Sequence, residues 1–492
     1  MTLFLASTAG LLLSFLIVAL LRPTLPAPWH WRGRGVALHV ACYLLLSGGT
    51  MLILGRPWFA TVLVLSLLML VVQVGNAKYH ALRESFVFQD FEYFTDAIRH
   101  PRLYIPFLGW WKFLVIALGV VLAVAVGFWL EPAPADRFAV DGQLPGVFVS
   151  LSAGLMLLLA FHRGGLPTWR VQVDLAASGL LACLWDYARA ERQPLRLPAS
   201  SLSGLAPSPE RPDIVVVQSE SFFDARRLYP GIRRDVLGAF DALRTTAQCA
   251  GRLRVPAWGA NTVRSEFAFL SGVAEAALGV HRFNPYRRLG KGMPSLAARL
   301  KAAGYRTVAI HPYHASFYRR DQIFPRLGFD EFIDLGAFAA APRCGPYVAD
   351  DALSEVIGRV LAEATVPVFI FVITMENHGP LHLEKVAPGD VPALYDVPPP
   401  GGCDDLTIYL RHLVNADRMA GQLQEMLLRH PRAARLCWYG DHVPIMAEVY
   451  RQLGEPEAET DYLIWSNRQI GDGRSWDAAA HELAARLLSP EP

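Results

Sequence analysis

An acid and an imidazole stand side by side in Tyr439-Gly440-Asp441-His442-Val443-Pro444, delivered by Arg435-Leu436-Cys437-Trp438 into a turn closed by proline. A carboxylate and a histidine at a strand end can both reach one divalent ion. The plainer reading of the same residues is a capped turn with a satisfied histidine. Three other segments add chemistry. Asp213 to Ser219 is β-branched and reads as a buried strand ending on Glu220, and open α/β sheets collect their working groups at strand carboxyl ends. Trp258-Gly259-Ala260-Asn261 precede Thr262, which opens a helical pattern. That hydroxyl is either a helix cap or a nucleophile with helix amides facing an incoming anion. Val366 to Thr374 is another buried strand, and it leads into Met375-Glu376-Asn377-His378-Gly379-Pro380. His378 is there either as a turn histidine bonded to backbone or as a group titrating near neutrality that can move a proton.

Strand-Glu-Ser-Phe, Gly-x-x-Thr-x-x-x-Glu-Phe, Asn-His-x-Pro and Tyr-Gly-Asp-His-x-Pro follow one another in this order. In this the chain resembles the alkaline phosphatase and sulfatase superfamily, and within it the membrane-bound lipoteichoic acid synthase and phosphoglycerol transferase group. The resemblance implies one divalent metal held by Glu220, Thr262, Asp441 and His442. Manganese is usual in that group, with magnesium or zinc as alternatives. It makes Thr262 the nucleophile, which suits a hydroxyl that is weak until a metal lowers its pKa. It gives His378 a place against the phosphoryl group or the leaving alkoxide.

The segment His311-Pro312-Tyr313-His314-Ala315-Ser316-Phe317-Tyr318-Arg319-Arg320 resembles the group's substrate-binding loop, with Tyr318 and Arg320 as its aromatic and arginine. A guanidinium fork suits a phosphodiester because it donates two parallel hydrogen bonds. The group's usual tryptophan is Tyr318 here and its acidic residue falls on Tyr313, so the glycerol-recognition set is incomplete. His311 and His314 are either further substrate contacts, ligands of a second metal, or solvated loop residues. The sulfatase motif Cys/Ser-x-Pro-x-Arg is replaced by Thr262-Val263-Arg264-Ser265-Glu266, which argues against formylglycine-dependent sulfate hydrolysis.

The first third of the chain must place this chemistry. Leu3 to Leu21, Val36 to Gly55, Trp58 to Gly75, Phe113 to Leu130 and Gly146 to Phe161 are apolar runs near the ~20 residues that span a ~30 Å hydrocarbon core. Val171 to Tyr187 is a sixth, ambiguous segment carrying Asp174, Trp185 and Asp186. Basic residues cluster at Arg22, Arg32 and Arg34, at Lys78, Arg83, Arg99, Arg102 and Lys112, and at Arg163 and Arg170. If these clusters are cytoplasmic, the carboxyl-terminal domain is exported only when the sixth segment also crosses. The family pattern of five spans exports it with the opposite loop assignment. Both routes expect a bacterial inner-membrane protein whose catalytic domain faces the periplasm or exterior. The connection from Asn76 to Pro106 mixes aromatics and charges, as an interfacial segment or a connector helix would.

Residues 1–190 are therefore expected to form a transmembrane domain of five or six helices. Residues 191–212, with Pro194, Pro198, Pro207, Pro209 and Pro212, read as a linker. Residues 213–492 read as a sulfatase-like α/β domain with a mostly parallel sheet. Leu406 to Arg429 reads as a helix, with Asp417 on it as surface structure. The composition, 53% hydrophobic with a net charge of +2, suits a multispan protein and shows no basic stripe for nucleic acid. Among the six cysteines, one disulfide among Cys249, Cys344 and Cys403 is open. The expected activity is transfer of phosphoglycerol from phosphatidylglycerol, a phospholipid donor, to an exported glycan acceptor through phosphothreonine. The alternatives are phosphoethanolamine transfer to lipid A or glycan, sulfuric or phosphoric ester hydrolysis, and an idle membrane partner of glycan export.

Overall fold

The computed structural model describes residues 2–99, 101, 110–132, 143–164, 167–205, 208–290 and 292–489. Arg102, the end of the Asn76 to Pro106 connection, and Pro207 lie outside the described residues. The chain divides into two units, Met1–Gln193 and Pro194–Pro492.

In the first unit the apolar runs are helical: Thr2–Val18, Gly33–Leu54, Pro57–Leu82, Trp110–Leu130 and Leu144–Phe161. Gly33–Leu54, Pro57–Leu82 and Leu144–Phe161 are long and apolar enough to cross a membrane, and Thr2–Val18 and Ala117–Leu130 are shorter apolar helices. The chain is a multi-pass membrane protein. The sixth segment is broken into Val171–Ser178 and Leu180–Glu191. Gly179 between them sits at φ +74°, where a side chain would meet the ring of Trp31. At ~1.5 Å per residue, neither piece spans ~30 Å by itself. Asp186 instead pairs with Arg34 at 2.6 Å. In the connection after Pro57–Leu82, Asp90 holds buried Lys78 at 2.8 Å, and Glu92–Arg99 is a short helix.

The second unit is built on an eight-stranded sheet of order β10-β2-β9-β8-β1-β7-β3-β4. The strands are β1 (Asp213–Ser219), β2 (Cys249–Arg254), β3 (Arg306–Ile310), β4 (Glu331–Ile333), β7 (Val368–Ile373), β8 (Ala434–Gly440), β9 (Glu459–Ser466) and β10 (Ala478–Ala479). A separate hairpin pairs β5 (Arg343–Cys344) with β6 (Tyr347–Val348). Within the eight-stranded sheet, among the described residues, only β9 runs against its neighbours, β2 and β8; the other pairs of that sheet are parallel. Period-2 alternation explains the layers. Val215, Val217, Ile370, Val372, Leu436 and Trp438 enter one core with the Asp351–Glu363 and Asp404–Arg429 helices. Ile214, Val216, Phe369, Phe371, Cys437 and Tyr439 enter the other, with the Thr262–Ser271 and Ala480–Leu488 helices. Strands covered on both faces read as unbroken apolar runs, as these do.

The proline-rich segment packs on this unit. Leu202 is buried in its second core, Ser200 Oγ donates to the Ser271 carbonyl at 2.6 Å, and the Ser201 amide donates to the Gly272 carbonyl at 2.8 Å. All six cysteines are free thiols. Asp417 is structural but not on the surface: it is buried and accepts from the Ala239 and Phe240 amides at 2.9 and 2.7 Å, capping the Gly238–Thr245 helix. The helical spacing correctly placed Asp417 on a helix, but could not show that a second helix ends against it.

Candidate active site

Strand order and register bring distant residues together. β1 lies between β8 and β7, and Ser219 pairs with Gly440. The next residues are Glu220 and Asp441, which leave adjacent parallel strands at the same height. A Cβ at Gly440 would run into the Phe222 carbonyl, so glycine allows the two chains to approach there. His442 Nε2 lies 3.4 Å from both Glu220 Oε1 and Asp441 Oδ2. The ligand atoms of Glu220, Asp441 and His442 all lie within 4.8 Å of one another. His378 follows β7 and His311 follows β3, so these groups also occupy strand carboxyl ends, where an open α/β sheet binds ligands.

Thr262 is the first residue of the Thr262–Ser271 helix, preceded by Asn261 at φ 67°. The residue as a whole is buried. One turn on, Ser265 Oγ donates to the Asp441 carbonyl at 2.6 Å, which fixes the helix start against the Asp-His turn. Seven non-glycine described residues have positive φ, and four of them, Ser221, Asn261, Tyr318 and Arg319, belong to these segments. Such conformations cost on the order of 1–3 kcal/mol each and persist where the surroundings over-determine them.

The residues present fit a divalent cation. Glu220 and Asp441 are both buried. Burial, and then the neighbouring Asp441 carboxylate, push the Glu220 carboxyl up to about 8. Asp441 Oδ1 accepts from the Ser221 and His442 amides at 2.9 and 3.0 Å, but among the described residues Oδ2 has no hydrogen-bond partner. Two adjacent buried carboxylates without a lysine or arginine in contact are stabilised by a metal ion. Their hard oxygen donors with one imidazole suit manganese, magnesium or zinc alike.

Arg320 is 1% exposed. Its Nη2 and Nε donate to Glu266 Oε2 at 2.8 and 3.2 Å, its guanidinium stands 5.2 Å from the Tyr318 ring centroid, and among the described residues buried Nη1 has no hydrogen-bond partner. Glu266 also accepts from Tyr286 Oη. A buried arginine aimed in this way keeps one donor for an anion. His311 is buried rather than solvated, while His314 is exposed. His311 Nδ1 faces the Ile373 carbonyl at 3.1 Å, and among the described residues Nε2 has no hydrogen-bond partner. Burial, then the charge of Arg320, hold its pKa well below the usual imidazole range. His378 Nδ1 meets the Gly379 carbonyl at 2.6 Å, which leaves Nε2 for other work. Burial lowers its pKa too, against the opposing carbonyl contact and the charge of Asp441.

Some neighbours carried no recognisable role in sequence. Ser221 Oγ donates to Glu220 Oε1 at 2.9 Å, and Tyr347 Oη lies 3.4 Å from His378 Nδ1. Ser221 and Glu266 sit inside motifs, so their positions were visible. Tyr347 follows no signal, because its hairpin meets the site only through tertiary packing.

The Sulfatase family profile matches residues 212–488, more than half of the chain. The chain belongs to the sulfatase family. This sulfatase-family protein is 30% identical over 448 residues to the capsular polysaccharide biosynthesis protein RkpI of Rhizobium meliloti, covering 85% of this chain and 79% of that one. It is 27% identical over 290 residues to a putative cyclic beta-1,2-glucan modification protein of the same organism, covering 56% and 44%. Lipooligosaccharide phosphoethanolamine transferase A (EptA) of Neisseria meningitidis is similar in structure, with a TM-score of 0.54, 13% identity, and coverage of 99% of this chain and 94% of that one. That likeness extends the shared fold over the helical unit as well as the sulfatase-family unit.

Proposed function

We propose that this protein is a membrane-bound, metal-dependent transferase that moves phosphoglycerol from phosphatidylglycerol to an exported glycan. The observation that carries the reading is the buried Glu220-Asp441-His442 cluster beside a helix that begins on Thr262. Glu220, Thr262, Asp441 and His442 would hold one divalent metal, manganese in the first instance. When bound, the metal lowers the pKa of a hydroxyl and offsets charge on phosphate oxygens. Thr262 gives its hydroxyl proton to solvent as Oγ attacks phosphorus, the bond from phosphorus to the diacylglycerol oxygen breaks, and glycerol phosphate remains on Thr262. His378 Nε2, when protonated, supplies the proton to the departing diacylglycerol oxygen. The now neutral His378 Nε2 takes the proton of an acceptor hydroxyl as that oxygen attacks the same phosphorus, and Thr262 Oγ leaves as the alkoxide. Arg320 Nη1 holds a phosphoryl oxygen, with Tyr318 and His311 lining the headgroup side.

The apolar helices keep the chain in the bilayer, where a phospholipid donor resides. Inner-membrane residence, five spans and an exported catalytic unit complete the reading. The boundaries 1–190, 191–212 and 213–492 give its domains, the middle segment joining the other two in sequence. A glycan acceptor agrees with the capsular polysaccharide and beta-1,2-glucan names of the two relatives. The test is intact mass and phosphopeptide mapping after incubation with manganese and phosphatidylglycerol. A glycerol-phosphate adduct on Thr262, absent in Thr262→Ala, is expected. An adduct formed only with phosphatidylethanolamine would replace the donor, and none with either lipid despite bound metal would overturn the reading.

A further inference from the structure

A second group of metal-type side chains lies behind His378. Cys344 Sγ is 3.4 Å from His412 Nδ1, which is 3.0 Å from Glu376 Oε1, and the three ligand atoms lie within 4.8 Å of one another. Bonds of ~2.3 Å to sulfur and ~2.0–2.1 Å to nitrogen or oxygen put the edges of a tetrahedral zinc site at about 3.3–3.6 Å. The sulfur–nitrogen edge has that length, and the nitrogen–oxygen edge is a few tenths shorter.

The surroundings also resemble those of a ligand set. His412 Nε2 faces Glu384 Oε1 at 3.0 Å, and Glu384 is already paired with Arg411 at 2.7 Å. An Nε2–H donated to Glu384 leaves the Nδ1 lone pair toward Cys344 and Glu376, the carboxylate–histidine–metal arrangement of second-shell partners. Asn415 Nδ2 donates to Glu376 Oε1 at 2.6 Å and lies 3.4 Å from Cys344 Sγ. Glu376 Oε2 accepts from the Asp350 amide at 2.7 Å. The Asp350 carboxylate itself is fully buried, and neither of its oxygens has a partner among the described residues. The pocket thus buries two carboxylates, of Glu376 and Asp350, and among the described residues neither is paired to a lysine or arginine.

We propose that Cys344, Glu376 and His412 form a second cation site, of the thiolate-binding zinc class, distinct from the Glu220-Asp441-His442 site. Cys344 binds as the thiolate and releases its proton to solvent, and Asp350 supplies nearby negative charge. The site ties three elements together: the β5–β6 hairpin through Cys344, the Asp404–Arg429 helix through His412, and the turn after β7 through Glu376. His378 is two residues beyond Glu376, and Tyr347 of the same hairpin touches both His378 and Gly379. A cation there braces the turn that presents His378 without touching substrate, so Cys344, Glu376 and His412 are positioning residues.

The competing occupant is a proton, giving an imidazolium between Glu376 and Glu384. Cobalt(II) separates the two, because only a thiolate ligand gives intense near-ultraviolet sulfur-to-cobalt charge transfer. The full-length chain in detergent, titrated with cobalt(II) and no lipid or glycan, is expected to show this band in wild type and in Asp441→Asn alike. The band should vanish in Cys344→Ser and His412→Ala. Cobalt bound without the band, or a band that survives Cys344→Ser, overturns the proposal. A measurement on wild type alone covers the case of a variant that does not fold. Zinc should slow iodoacetamide alkylation of Cys344 at least tenfold by peptide mapping, and an unchanged rate overturns the proposal. Because no donor lipid is present, neither result depends on the transferase reading.

Discussion

β1 buries a carboxylate at each end, and the fold treats the two in opposite ways. At the amino end, Asp213 accepts from Arg432 Nε and Nη2 at 2.8 and 3.1 Å and from the Val368 amide at 2.8 Å, and its Oδ2 lies 2.7 Å from His430 Nε2. Just past the carboxyl end, Glu220 faces Asp441 and His442, and among the described residues Asp441 Oδ2 has no hydrogen-bond partner. A buried carboxylate satisfied by the protein's own donors holds structure. One left facing another carboxylate destabilises the metal-free fold and is retained where a cation or substrate completes it. The sheet therefore has a finished end and an unfinished one, and the proposed chemistry uses the second.

The sharpest test of this contrast is Thr262→Ala at the unfinished end. It should lower transfer by on the order of 10⁴-fold or more while leaving the unfolding midpoint close to wild type, read by lipid-turnover assay and calorimetry. Asp213→Ala should do the reverse. Losing a buried, multiply bonded carboxylate costs about 3 kcal/mol of stability, with manganese affinity retained; a lost metal site would break the comparison. Next, manganese at about a hundred times its Kd should stabilise the wild-type fold by ~2.7 kcal/mol, and the gain should disappear in Asp441→Asn. Equal stabilisation of both proteins in thermal unfolding would mean that the carboxyl end is not where the ion binds. The smallest effect is expected for Asp417→Ala, another carboxylate satisfied by protein donors, here two helix amides. It should cost about 1 kcal/mol in denaturant unfolding without changing transfer.

Much of this was legible in sequence because it is local. The runs at Asp213–Ser219, Val368–Ile373 and Ala434–Gly440 are buried on both faces, and such strands advertise themselves as continuous apolar stretches. The turn residues just beyond them stand where ligands gather, so Glu220, His378, Asp441 and His442 could be singled out one by one. The five apolar runs likewise named their own helices, since length and hydropathy are properties of a segment alone.

What sequence alone did not determine depends on partners far away in the chain. The sixth apolar segment has the composition of a span, yet Gly179 breaks it where a side chain would strike Trp31. His311 lies in a polar loop and is nonetheless buried against the carbonyl of Ile373. Asp417 caps a helix nearly 180 residues earlier in the chain. Glu376 and His412 show no motif, and they meet Cys344 only because a hairpin and a long helix pack against the turn after β7. Sequence determined which residues are chemically able and which segments are strands or helices, since both follow from side-chain type and period. Tertiary structure decided which of those residues share a site, because strand order and the Ser219–Gly440 register set distances that no local pattern encodes.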